Sequence, residues 1–157
     1  VSLARIAPAG PADLEAVRGL MTEYGETLDV RDRCFQNMDA ELAGLPGAYA
    51  PPDGALLIAR NETGEAAGCV ALKRVDARTC EMKRLYVRPA GQGTGLGRRL
   101  AEAIVAEART LGYRAIRLDT LATMAAAQAL YAKLGFREVE PFNANPTPGI
   151  TYMELSL

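Results

Sequence analysis

Between Cys80 and Leu111 the chain runs CEMKRLYVRPAGQGTGLGRRLAEAIVAEARTL, and this stretch leaves few choices of fold. An apolar, β-rich run ends at Val87, Pro89 breaks it, and four glycines follow within seven residues, Gly91, Gly93, Gly95 and Gly97. Leu96, Leu100, Ile104, Ala108 and Leu111 then recur at helical spacing, while Arg98, Glu102, Glu107 and Arg109 occupy the opposite face. A strand that enters a helix through such a turn leaves the first helical N–H groups without intrahelical partners. With the positive end of the helix dipole, those donors suit an anion such as a phosphate. Arg98 and Arg99 oppose the dipole at a cost of about 0.3–1 kcal/mol, and a docked anion would reverse that sign. A solvated glycine turn with two surface arginines is the plainer reading of the same spacing.

The spelling of the loop is more specific than its composition. Gln92-Gly93-Thr94-Gly95-Leu96-Gly97 fits the pattern Q/R-x-x-G-x-G/A, and Ala127, Tyr131, Gly135 and Phe136 fit the later pattern N-x-x-A-x-x-x-Y-x-x-x-G-F. Together with Glu81 to Pro89, which looks like a fourth strand, these segments resemble the GCN5-related N-acetyltransferases over residues 54–138. The resemblance implies that acetyl-CoA is the cosubstrate and that the loop cradles its pyrophosphate. The implied cofactor contacts are Leu85, Tyr86, Val87, Gln92, Gly93, Thr94, Gly95, Leu96, Gly97 and Arg98. Met124 stands where the family has an asparagine that helps hold the pantetheine arm.

Acetyl transfer from a thioester to an amine requires a polarised carbonyl, a protonated leaving thiolate and a neutral amine. Backbone donors near Leu85 and Val87 suit the first task. By the resemblance Tyr131 lies beside the thioester sulfur, and a phenol is acidic enough to protonate a thiolate. Glu81 is the expected base, with water as the alternative. It needs burial to raise a carboxyl from an ordinary value near ~4.3. Strand alternation places residues 81, 83, 85 and 87 on one face. A solvated Glu81 paired with Lys83 or Arg84 and a merely packed Tyr131 are the bland alternatives. The acceptor, a primary amine of a small molecule or peptide, is expected across the sheet near Tyr24, Glu26, Asp29 and Phe35, each of which also reads as ordinary surface or core.

At 157 residues the chain suits one domain, residues 1–157, able to bury a core without staples. A net charge of −1 gives no reason to expect nucleic acid or an anionic membrane as partner. No apolar run reaches membrane length and no basic-then-apolar leader opens the sequence, so a cytoplasmic protein is expected. A homodimer is compatible with this reading. Three cysteines, Cys34, Cys69 and Cys80, read as reduced thiols. With no histidine, a Ser–His or Cys–His nucleophile is excluded, and no metal is expected.

The remaining segments supply the frame. Residues 2–7 read as a strand ended by Pro8, and a helix starts at Pro11 or Asp13 and fades near Gly25. Asn37 looks like the cap of a short helix stopped at Leu45-Pro46-Gly47. Strands are expected at 55–60, 67–75 and up to Val87 as an antiparallel meander, then at 115–119 after the central helix in a parallel βαβ unit. Thr123 is the expected cap of a helix over 124–133, ended by Gly135 in the left-handed region. Two strands close the chain at 136–140 and 150–157. The order β-α-α-β-β-β-α-β-α-β-β describes a mixed α/β single domain with a mostly antiparallel sheet and helices on both faces, as the acetyltransferase resemblance implies.

Two rival readings share parts of this pattern. Asp119 lies about twenty residues beyond the glycine loop, where a dinucleotide's ribose-binding acid would sit. No G-x-G-x-x-G register exists among Gly91 to Gly97, however. A non-catalytic CoA-binding relative is favoured only by Met124.

Overall fold

The computed structural model describes residues 3–157. Seven strands form one sheet: β1 (Arg5–Pro8), β2 (Ala55–Arg60), β3 (Ala66–Arg74), β4 (Thr79–Val87), β5 (Ala115–Leu121), β6 (Arg137–Val139) and β7 (Ile150–Ser156). Their order across the sheet is β1-β2-β3-β4-β5-β7-β6. Every neighbouring pair is antiparallel except β4 with β5. Among the described residues there are five α-helices: α1 (Leu14–Glu26), α2 (Val30–Phe35), α3 (Met38–Ala43), α4 (Leu96–Thr110) and α5 (Ala125–Lys133). The mixed, mostly antiparallel sheet expected from the sequence is present, with one helix more than expected.

Helices cover both faces because each offers an apolar stripe to a sheet that needs burial on both sides. Leu96, Leu100, Ile104 and Ala108 of α4 lock onto Val70, Leu72, Cys80 and Met82 in the larger core, which Tyr131 and Phe136 join. On the opposite face Val17, Leu20 and Met21 of α1 pack with Ile58, Cys69 and Ala71.

Local expectations failed where the backbone found another solution. Pro8 is the last paired residue of β1 rather than its terminator; it sits opposite Leu57 on an edge strand, where a missing N–H is tolerated. The charged stretch after α1 closes a turn of helix because the Asp29 side chain accepts the Arg31 N–H at 2.8 Å and caps α2. Thr123 does not cap α5: the N-cap is Met124, with no side-chain hydrogen bond. The first strand begins at Arg5, and Ser2 lies outside the described residues.

The central irregularity is in β4. Arg84 has φ +61°, in the left-handed region that non-glycine residues rarely adopt. The register jumps here from Lys83 opposite Ala71 to Tyr86 opposite Cys69, so two residues of β4 face one of β3. This bulge reverses the alternation. Cys80 and Met82 before it, and Leu85 and Val87 after it, all pack on the α4 side, whereas Tyr86 packs on the α1 side. Residues 81, 83, 85 and 87 therefore do not share a face, contrary to the simple two-residue repeat.

Candidate active site

β4 and β5 pair only over Thr79–Glu81 with Ala115–Arg117. Beyond that point β4 runs on to Val87 through its bulge, and β5 turns its remaining hydrogen bonds to β7, up to Leu121 opposite Ile150. The two strands part, and a cleft of about 360 Å³ opens between them, walled by β4, the end of β5 and the start of α5. Unpaired strand edges expose backbone N–H and C=O groups, so a ligand threaded here can be held by main chain.

The glycine turn leads from one end of the cleft into α4. Gly93 and Gly95 adopt φ +79° and +84°, which a residue with a Cβ would resist, and Gly95 is the N-cap of α4 without any side-chain partner. The first N–H turned inward is that of Arg99, to the Gly95 carbonyl at 3.1 Å, so the preceding amides at the helix start have no intrahelical acceptor. Thr94 hydroxyl folds back on the Gly91 carbonyl, and Gln92 donates to the Val87 carbonyl at 3.1 Å, pinning the turn to the end of β4. Arg99 is tied to the Ala4 carbonyl at 2.8 Å, and Arg98 is exposed beside Glu102 at 3.3 Å. Of the expected cofactor residues, Leu85, Tyr86, Val87, Gln92, Gly97 and Met124 line the cleft. Leu96 is buried in the core, where it anchors the helix start.

Tyr131 lines the same cleft from α5, with its ring tilted against Phe136 at 5.7 Å. Its hydroxyl has no hydrogen-bond partner among the described residues and is not sealed away; the buried unpaired side-chain oxygens are those of Thr120 and Thr147. Burial pushes the phenol's pKa up, and the neighbouring Tyr24 and Asp119 add to that. A phenol held neutral keeps the proton that a leaving thiolate needs.

The expected acceptor residues divide. Tyr24 lines the cleft, half-buried, with its pKa raised to about 12 by burial. Glu26 and Phe35 are exposed and Asp29 is engaged with Arg31 at 3.0 Å; none of the three lines the cleft.

Glu81 is 3% exposed but stands outside the cleft wall. Arg117 donates to its carboxylate at 3.0 Å and Lys83 lies at 3.3 Å. Burial alone would raise this carboxyl, but Lys83, Lys73 and Arg117 outweigh it and hold the pKa below its ordinary value. A carboxylate clamped in that way is a poor proton acceptor.

A second set of side chains surrounds the other end of the cleft. Arg84, 3% exposed, is bound by Glu41 through two contacts of 2.8 Å and also donates to Gln36. Gln36 receives Lys83 at 3.2 Å and donates to Asp32 at 2.7 Å, and Asn145 donates to Asp32 at 2.6 Å. Asp119 on β5 lines the cleft and accepts from Asn143 at 3.2 Å, while Tyr152 steadies Asn143 at 2.7 Å. Its pKa is raised, chiefly by burial. As a site residue Asp119 escaped the sequence reading except as a ribose ligand. The available signal was a carboxylate within the otherwise apolar-alternating strand AIRLDTL.

No group of metal-ligating side chains is assembled among the described residues, and no helix there is long and apolar enough to cross a membrane. The family model for the acetyltransferase (GNAT) family matches residues 20–136. An uncharacterized N-acetyltransferase of Schizosaccharomyces pombe is 43% identical over 94% of this chain and 90% of its own length. A GNAT-family acetyltransferase from Staphylococcus aureus superimposes with a TM-score of 0.79 over 98% of this chain and 99% of its own, at 17% identity. The Salmonella typhimurium protein yncA, solved with its cofactor acetyl-CoA, does so with a TM-score of 0.71 over 99% and 94%, at 24% identity. A cleft between parted strands, a donor-rich turn at a helix start and a matching family model lead to one assignment: the chain belongs to the GNAT family of acetyl-CoA-dependent N-acetyltransferases.

Proposed function

We propose that acetyl-CoA lies in the cleft between β4 and β5 and that its acetyl group passes directly to a primary amine of a small molecule or peptide. The observation that carries this reading is the single cleft that joins the glycine turn to Tyr131. The pyrophosphate takes the unpaired amides of the turn and the start of α4, residues 93–98, with Gln92 holding the turn in place. Arg98 adds charge at the surface. The pantetheine arm runs along the exposed edge of β4 at Leu85, Tyr86 and Val87, beside Met124.

Freed N–H groups around the Arg84 bulge polarise the thioester carbonyl and hold the oxyanion that develops. The amine nitrogen attacks the carbonyl carbon, and the C–S bond breaks as the carbonyl re-forms. Tyr131 protonates the leaving thiolate, and the tyrosinate recovers its proton from the newly formed amide nitrogen. The amine enters from the side of Tyr24, Asp119 and the loop after β6. Free thiols at Cys34, Cys69 and Cys80 suit a reducing, cytoplasmic setting.

Thermal unfolding tests the cofactor. Acetyl-CoA at a hundred times its dissociation constant should stabilise the protein by about 2.7 kcal/mol. NADPH should leave the melting temperature unchanged. Protection by the dinucleotide alone would overturn the reading.

A further inference from the structure

Direct attack needs a neutral amine, and the clamped Glu81 leaves the proton acceptor unassigned. Asp119 occupies the position that the step demands. Along β5 the side chains of Ile116 and Leu118 enter the core beneath α4, so Arg117 and Asp119 are on the opposite, α1-facing side. Arg117 is the last β5 residue paired with β4, opposite Glu81. Asp119 is thus the first residue on that face beyond the point where the strands part. It lines both the main cleft and the small adjoining cavity bounded by Tyr24, Asp32 and Ile150.

Its surroundings favour a carboxylate that can hold a proton. On β4 it senses Lys83, which opposes protonation, and Glu81, which favours it. From α2 Asp32 favours protonation, while on the loop after β6 Asn143 donates to it and opposes protonation. Tyr24 on α1, Tyr131 on α5 and Tyr152 on β7 are phenols held neutral by burial. Arg117 beside it on β5 is already committed to Glu81 and to the Phe142 ring, 4.0 Å from its centroid. Desolvation is the largest influence on Asp119 and raises its pKa, whereas the cations around Glu81 lower that group. Two carboxylates on one face therefore have opposite fates, one clamped and one able to titrate.

Resting on the acetyl-transfer reading, we infer that Asp119 is the general base: it takes one proton from the acceptor's ammonium group as the amine enters the cleft. The ammonium becomes a free amine and the carboxylate becomes a carboxylic acid. The nitrogen lone pair then forms the C–N bond, and Asp119 returns its proton to solvent after product leaves.

The test is Asp119→Asn, which keeps the size and a hydrogen bond to Asn143. The acceptor is whichever gives the highest turnover with acetyl-CoA among free amino acids, polyamines and short peptides. At pH 7 kcat/KM should fall about 10²–10³-fold. The acid limb set by the Asp119 carboxyl should be replaced by one that follows the amine's own pKa. Protection by acetyl-CoA should be unchanged. Because burial disfavours the carboxylate, the variant should melt no lower than wild type at pH 7. Retention of kcat/KM within threefold, or an unaltered acid limb, overturns the assignment while leaving acetyl transfer intact. Failure of wild type to bind acetyl-CoA removes both. A carbon-13 NMR titration of the Asp119 carboxyl in wild type requires no acceptor; a midpoint above the ordinary value near ~3.9 supports the assignment, and one below it overturns it.

Discussion

The two ends of the cleft are built by different means. At the cofactor end the donors are main-chain amides, displayed by a turn whose left-handed residues are Gly93 and Gly95 and by the start of α4. At the acceptor end the groups are side chains brought from α2, α3, β4, β5 and the loop before β7, joined through Asp32, Gln36, Arg84, Glu41 and Asn143. The first end is a local property of one stretch and involves little buried charge. The second is a long-range assembly in which each ion depends on its partner. A site of the first kind can be altered without threatening the fold, whereas at the second the loss of one partner of the buried Arg84–Glu41 pair leaves a charge stranded.

Tyr131 lies where the two ends meet and should show the largest effect. Tyr131→Phe keeps the ring against Phe136 and nearly all its burial, and the hydroxyl gives up no hydrogen bond to the described residues. Stability should change by less than ~1 kcal/mol. As the donor to the thiolate, its loss should lower kcat by roughly 10²–10⁴ with acetyl-CoA affinity and the amine's KM nearly unchanged. A variant with full kcat would hand protonation to water and return Tyr131 to a packing role.

A paired measurement then separates the ends. Glu41→Ala strips the partner from an Arg84 side chain only 2% exposed, and an uncompensated buried charge should cost about 3–5 kcal/mol in urea unfolding. Gly97→Ala does the opposite. It lies inside α4, and the new methyl meets only Val87 Cγ2 at 3.8 Å, an ordinary contact. Stability should hold or rise by up to ~1 kcal/mol. The methyl projects into the cleft wall, so acetyl-CoA affinity should fall about tenfold, comparable to losing a charge-assisted hydrogen bond of ~1.5–3 kcal/mol. Similar stability losses in the two variants would erase the contrast between a main-chain and a side-chain site.

That contrast also explains what the sequence could tell. The glycine turn was legible because a positive φ and a close approach of backbone both demand glycine, and the demand is written at the position itself. The meander from Ala55 to Val87 was legible as short apolar, β-rich runs separated by polar turns. The bulge was not, because Arg84 is an unlikely tenant of the left-handed region. Its conformation is held by Glu41 and Gln36, more than forty positions away. Once the bulge is missed the faces of β4 are misassigned beyond it, so Glu81 is grouped with Leu85 and Val87. Nothing local marks Asp32, Asn143 and Asn145 as neighbours, because the contacts that join them span long stretches of chain. Family resemblance supplied Tyr131 but not Asp119, which lies outside both motifs.

The smallest effect is expected at Thr120, and there stability and binding should move in opposite directions. The residue is 7% exposed and its hydroxyl has no partner among the described residues, yet it lines the main cleft and the adjoining cavity. An unpaired buried hydroxyl costs about 1–3 kcal/mol, and valine fills the same volume with similar strand propensity. Thr120→Val should therefore raise the melting temperature of the free protein by about 2–4 °C, corresponding to ~1 kcal/mol in a chain of this size. When acetyl-CoA enters between β4 and β5, a polar atom of its arm can satisfy the wild-type hydroxyl but not the methyl. Affinity should then fall about fivefold, close to ~1 kcal/mol. Calorimetry and thermal unfolding on the same two proteins decide the matter. A higher melting temperature with unchanged affinity would mean that the ligand passes the hydroxyl by. A lower melting temperature would mean that the hydroxyl is satisfied in the free protein, through water held in the adjoining cavity.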